Sequence, residues 1–235
     1  MNPLRGDKSP GAGELWGDRT KNQATGMLVK FNKGFSSPAH VHNISYRGVV
    51  IKGKMHNDDP EAAHMWMPTG SFWTQPAGEN HITAADGEEN LIYLEIDSGP
   101  YLVKPSQEGF DNGEQPINLH QSNLVWLGQN ELTFVNSHEV KITSLWGSTK
   151  DGELGGSMMK LPAGFNGKII TKAQEFRVII IAGNATYGTA NNQDSSGLSP
   201  GSYFSSTGNF EHDISVSEQS TVYIRTNGRF QVSSN

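Results

Sequence analysis

Residues Gly34–Gly48, GFSSPAHVHNISYRG, set two histidines, His40 and His42, one residue apart between a glycine turn and a β-branched run that continues to Ile51. Alternate residues of an extended segment share a face, so a strand here points both imidazoles the same way. Around it, apolar stretches recur at strand length: Met27–Phe31 (MLVKF), Arg47–Gly53 (RGVVIKG), Ser71–Thr74 (SFWT) and Asn90–Ile96 (NLIYLEI). Turn chemistry such as HNDDP separates them, and 27 glycines and 11 prolines punctuate the whole chain. This rhythm predicts an all-β protein of antiparallel sandwich or barrel type. Asn123–Leu127 (NLVWL) and Leu132–Val135 (LTFV) read as further strand candidates.

Composition narrows the chemistry. The net charge of -6 comes without any Lys/Arg stripe, which leaves binding to a nucleic-acid backbone nothing to rest on. Apolar runs are strand-sized, far below the roughly 20 residues of a membrane span. There is no cysteine, so disulfides and thiolate ligands are ruled out and only imidazole and carboxylate remain to hold a metal. Residues 1–13 read as a loose leader without the pattern of a signal peptide, and the compartment stays open between cytoplasm and periplasm.

The chain repeats itself. Set against itself at an offset of 130, Leu15–Gly17 falls on Leu145–Gly147, Gly26 on Gly156, Lys30 on Lys160, Gly34–Phe35 on Gly164–Phe165, Arg47 on Arg177, Ile51 on Ile181 and Gly53 on Gly183. That makes ten identities in the 39 positions from Leu15 to Gly53. One residue further on, Gly70–Trp73 aligns with Gly201–Phe204 and His81 with His212. Two copies of one small β domain are therefore expected, over residues 14–103 and 144–233, with 104–143 as the connection. The ungapped alignment sets Ile170 and Lys172 at the places of His40 and His42, which leaves the second copy with a degenerate site.

Gly34 through His40 and His42 to Gly53 resembles the first cupin motif, and Gly70–His81, GSFWTQPAGENH, resembles the second, in which Pro-x-Gly precedes a histidine. The resemblance implies two tandem double-stranded β-helix (jelly-roll) cupin domains, a bicupin, with His40, His42 and His81 holding a divalent metal in the first. The family's glutamate should fall at position 46 or 47, where Tyr46 and Arg47 stand, and Ala85 stands where an asparagine often follows the second motif. Three-histidine cupins that cleave β-diketones with dioxygen are similar in lacking that glutamate. They imply Fe(II), with Zn(II), Ni(II) or Mn(II) as other occupants; Glu79 and Gln75 of the second motif are this chain's candidates to replace the missing glutamate as a fourth ligand.

By that resemblance the protein is a metal-dependent oxidoreductase cleaving a small diketone-like compound. Imidazole-only ligation leaves the ion's charge uncompensated, which favours an anionic chelating substrate. Glu79, two residues before His81, and Tyr46 are the catalytic candidates; Arg47, Trp66, Trp73 and Gln75 are candidates for the substrate pocket. Arg47 recurs as Arg177 in the degenerate copy, which suits a structural ion pair equally well. The alternative is a non-catalytic zinc-containing sensor or binding module, similar to the cupin domains of anti-sigma factors. Cupins pair through sheet edges, so a homodimer is expected.

Overall fold

A computed structural model describes residues 9–148, 150–189 and 192–235. Of the expected leader, residues 1–8 lie outside the described residues, whereas Gly11–Gly13 already belong to a strand. The described residues are strands and connections with no α-helix, so no helix is long and apolar enough to cross a membrane. The chain divides into two compact units, residues 1–123 and 124–235. The segment 104–143 supplies strands to both of them.

In the first unit the strands are β1 (Gly11–Trp16), β2 (Thr25–Phe31), β3 (His40–His42), β4 (Tyr46–Lys52), β5 (Lys54–Asp58), β6 (Met67–Pro68), β7 (Phe72–Gln75), β8 (Ile82–Ala85), β9 (Asn90–Ile96), β10 (Val103–Pro105) and β11 (Ile117–Leu119). A six-stranded antiparallel sheet runs β1-β2-β9-β4-β7-β11. Opposite it stand β6-β5-β8 and β10-β3, stitched together by bridges between Ser36 and Ala84 and between His40 and His81. Met27, Phe31, Val50, Met55, Trp73, Ile92 and Ile96 fill the core between them. This is a jelly-roll sandwich, and the four apolar stretches of the sequence form β2, β4, β7 and β9. HNDDP is only partly a turn, since His56, Asn57 and Asp58 complete β5.

The second unit repeats the plan with β12 (Val135–Asn136), β13 (Lys141–Gly147), β14 (Gly155–Leu161), β15 (Asn166–Thr171), β16 (Phe176–Ala182), β17 (Ala185–Thr189), β18 (Asn192–Leu198), β19 (Tyr203–Ser206), β20 (Phe210–Ser215), β21 (Ser220–Thr226) and β22 (Phe230–Ser234). Its sheets run β13-β14-β21-β16-β19 and β12-β22-β15-β20-β17-β18. Trp16 pairs with Gly26 and Trp146 with Gly156, and each indole lies against the glycine opposite, which accounts for those identities in the repeat. The candidate strand NLVWL does not form. Leu127 makes a single bridge to Ile142, Val125 stays 72% exposed, and no neighbouring strand pairs along its length. Of LTFV only Val135 enters a strand, β12, which pairs in parallel with β22.

Strand pairing also corrects the alignment at the histidines. His40 faces His81, and in the second unit Ile169 faces His212. His42 pairs with Val103 as Thr171 pairs with Phe230. The counterparts of His40 and His42 are thus Ile169 and Thr171, because Pro38 and Ala39 insert one residue ahead of β3. Strand parity gives the reason: Ile169 and Thr171 are buried, whereas Ile170 is half-buried and Lys172 exposed, on the opposite face.

Candidate metal centre

His40 and His42 reach one point from adjacent same-face positions of β3, with Val41 turned the other way and buried. His81 arrives from the turn between β7 and β8. Gly78 fixes that turn: its φ is +79°, its N–H donates to the carbonyl of His42 at 2.8 Å, and a Cβ there would lie 2.2 Å from the Phe110 carbonyl oxygen. The Pro-x-Gly spacing read from the sequence is the device that brings the third imidazole beside the first two. The ligand atoms of His40, His42 and His81 all lie within 4.8 Å of one another. Among the described residues this is the one group of three or more potential ligands so arranged.

Each ring is oriented by a main-chain carbonyl on its Nδ1. His40 Nδ1 meets the Pro38 carbonyl at 2.9 Å, His42 Nδ1 that of Leu102 at 2.9 Å, and His81 Nδ1 that of Glu79 at 3.0 Å. A carbonyl only accepts, so Nδ1 carries the proton and Nε2 offers its lone pair in all three. Outer partners of this kind orient metal-binding imidazoles. Burial, reinforced by the neighbouring imidazoles, holds His42 well below its ordinary range and His81 down at about 3. Both are neutral at physiological pH, as ligands must be. The donor set and its fixed tautomers therefore fit a divalent ion.

Beneath the histidines lies a buried polar network. Tyr46 Oη and Thr83 Oγ1 both donate to Asn57 Oδ1 at 2.8 Å, Asn57 Nδ2 donates to Gln75 Oε1 at 2.8 Å, and Gln75 Nε2 donates to the Glu79 carbonyl at 3.2 Å. That carbonyl is the one that orients His81. Tyr46 Oη also stands 3.4 Å from His81 Nε2, and burial raises its pKa above the ordinary phenol range. Tyr101 stacks on His42 with ring centres 4.4 Å apart and sets its hydroxyl 3.2 Å from Nε2. Of these residues, His40 and Tyr101 are half-buried, whereas His42, Tyr46 and His81 are buried.

Tyr46 and Gln75 thus stand at the cluster, and Glu79 touches it through its main-chain carbonyl. Trp73 is wholly buried in the core next to Gly48. Arg47 lies on the face of β4 opposite to Tyr46, 2.9 Å from Asp97 and 3.7 Å from Glu95, and Arg177 likewise bonds Glu175 and Tyr203. Strand alternation therefore turns Arg47 away from the histidines. Trp66 packs edge-on against His64 and His56 in a separate group. Asn57, Thr83 and Tyr101 were not singled out by the sequence. Asn57 shares inward parity with Met55, which was a usable signal, whereas Tyr101 is 59 residues from His42 and arrives only through the pairing of β10 with β3.

Asn57→Ala strips partners from Tyr46, Thr83 and Gln75 together. The expected result is metal affinity weakened about 10- to 100-fold, measured by competition with a chelator, with a folded protein by circular dichroism.

The second unit shows the same place without the centre. Ile169, Thr171 and Phe176 replace His40, His42 and Tyr46, and His212 remains, stacked on Phe176 at 5.3 Å. Its two ring nitrogens are taken by Tyr187 Oη and Ser206 Oγ, each at 2.9 Å. Burial pushes His212 down to about 4 from its ordinary 6.5. Between those pH values the unfolded chain takes up a proton that the native unit does not. Stability is therefore lost as pH falls from about 6.5 to about 4, by about 3 kcal/mol for this residue. Urea unfolding of the parent and His212→Gln across this window should show the smaller pH slope in the variant.

The first unit combines a jelly-roll sandwich with a cluster of three histidines. The chain belongs to the family described as a domain of unknown function, DUF4437, whose model matches residues 1–233. Among solved structures it resembles a candidate dioxygenase from Nostoc punctiforme (TM-score 0.67, 17% identity, covering 92% of this chain and 73% of that one). It also resembles salicylate 1,2-dioxygenase from Pseudaminobacter salicylatoxidans (TM-score 0.62, 10% identity, 96% and 78%). A third likeness is oxalate decarboxylase from Lactobacillus farciminis in its formate complex (TM-score 0.61, 12% identity, 97% and 84%). At these identities the likeness establishes the fold. No curated protein matches the sequence.

Proposed function

We propose that the protein is a metal-dependent bicupin oxidoreductase whose first unit holds Fe(II) at His40, His42 and His81 and acts on a small, chelating, anionic substrate. The observation that carries this is the convergence of three Nε2 lone pairs, each fixed by a carbonyl on the opposite ring nitrogen. A bound Fe(II) supplies Lewis acidity toward oxygen ligands and electrons for dioxygen. The protein's own part is to hold and orient. Gln75 and Asn57 brace the Glu79 carbonyl behind His81, Tyr46 closes the buried side, and Trp73 with the surrounding core keeps bulk water out.

No carboxylate joins the histidines among the described residues, so the charge of a divalent ion is left for its ligand to balance. That supports an anionic substrate, with dioxygenase-like cleavage of a diketone-like compound as the leading reaction. The test is elemental analysis of protein purified without a chelating tag, followed by oxygen uptake of the iron-loaded form with a panel of small diketones and 2-oxo acids. Iron with substrate-dependent uptake is the expected result. Zinc alone, with no uptake after iron loading, overturns the oxidoreductase reading in favour of a binding or sensing role.

A further inference from the structure

We propose that Tyr101 is a specificity-determining residue whose hydroxyl binds an anionic oxygen of the molecule bound at the centre. The inference rests on the reading that His40, His42 and His81 hold a divalent ion. Because His42 Nδ1 is engaged by the Leu102 carbonyl, Nε2 is an acceptor, and the Tyr101 hydroxyl at 3.2 Å is the donor to it. A cation bound at Nε2 takes over that lone pair. The hydroxyl then loses its acceptor while the ring, stacked on His42 at an interplanar angle of 17°, stays beside the ion.

A buried or half-buried donor needs a new partner, and an oxygen anion on the ion is the partner within reach. Tyr46 cannot be released in the same way, since its hydroxyl is committed to Asn57 Oδ1 at 2.8 Å and its ring is fully enclosed. The second unit offers an internal comparison: pairing of Val103 with His42 and of Phe230 with Thr171 puts Gly228 where Tyr101 stands. The position loses its phenol where the other unit's histidine pair is lost.

The preferred ligand class is therefore a small carboxylate, hydroxamate or enolate, and neutral nitrogen ligands should gain nothing from Tyr101. The test uses the full chain loaded with Co(II), whose visible spectrum reports ligand binding, titrated with acetohydroxamate and separately with imidazole. Tyr101→Phe, which removes only the hydroxyl, should weaken acetohydroxamate about 10- to 100-fold and leave imidazole binding and cobalt content unchanged. Unchanged acetohydroxamate binding overturns the proposal, as does an equal loss for both ligands, which would place the effect on the centre itself. Circular dichroism and the urea midpoint check the fold, and Tyr101→Leu serves should the phenylalanine variant be unstable. Failure of the parent to bind cobalt overturns the metal reading itself, an outcome separate from the two above.

Discussion

His81→Ala should leave the protein unable to retain a divalent ion through dialysis against a chelator, with affinity reduced at least about 100-fold, more than the loss of an outer partner alone produces. Two effects act together. One of three converging lone pairs disappears, and the Glu79 carbonyl that oriented it is left with Gln75 Nε2 as its donor. His212→Ala, the corresponding change in the second unit, should leave metal content untouched, because His212 is tied to Tyr187 and Ser206 among aromatic rings with no further imidazole. Elemental analysis of both variants beside the parent checks the contrast. Equal metal in parent and His81→Ala would mean the ion sits elsewhere.

The second large effect is expected in the core. Gly48, on β4 opposite Trp73, has no room for a side chain: a Cβ would lie 2.1 Å from the indole ring. Trp73 is fully buried and cannot swing aside without displacing Met55, Met67 and other core residues. Gly48→Ala should therefore destabilise the first unit by about 3 kcal/mol, the upper part of the usual range for overpacking. Gly11→Ala is the control, since nothing lies within 4 Å of its Cβ position. Denaturant midpoints compare the two, and a shift below about 0.5 kcal/mol for Gly48→Ala would show that the core yields more easily than its packing implies.

The sequence made much of this visible because the decisive signals are local. Strand-length apolar runs marked β2, β4, β7 and β9, and the second histidine motif carries its own turn geometry in the positive φ of Gly78. The repeat was legible because Trp16 with Gly26 and Trp146 with Gly156 satisfy one steric requirement twice. What escaped depends on register and on distant pairing. The residue inserted at Pro38–Ala39 shifts the counterparts of the histidines by one, and an ungapped comparison steps over it. Tyr101 meets His42 only because β10 pairs with β3, and residue type alone did not tell Arg47, turned outward to Asp97, from a pocket residue.

Ligand counting at the metal tests the central claim most directly. X-ray absorption at the metal edge of the loaded protein should require three imidazole nitrogens in the first shell, falling to two in His42→Ala if any metal is retained. A first shell with fewer than three imidazoles in the parent, or one unchanged by the substitution, would contradict a centre built from His40, His42 and His81.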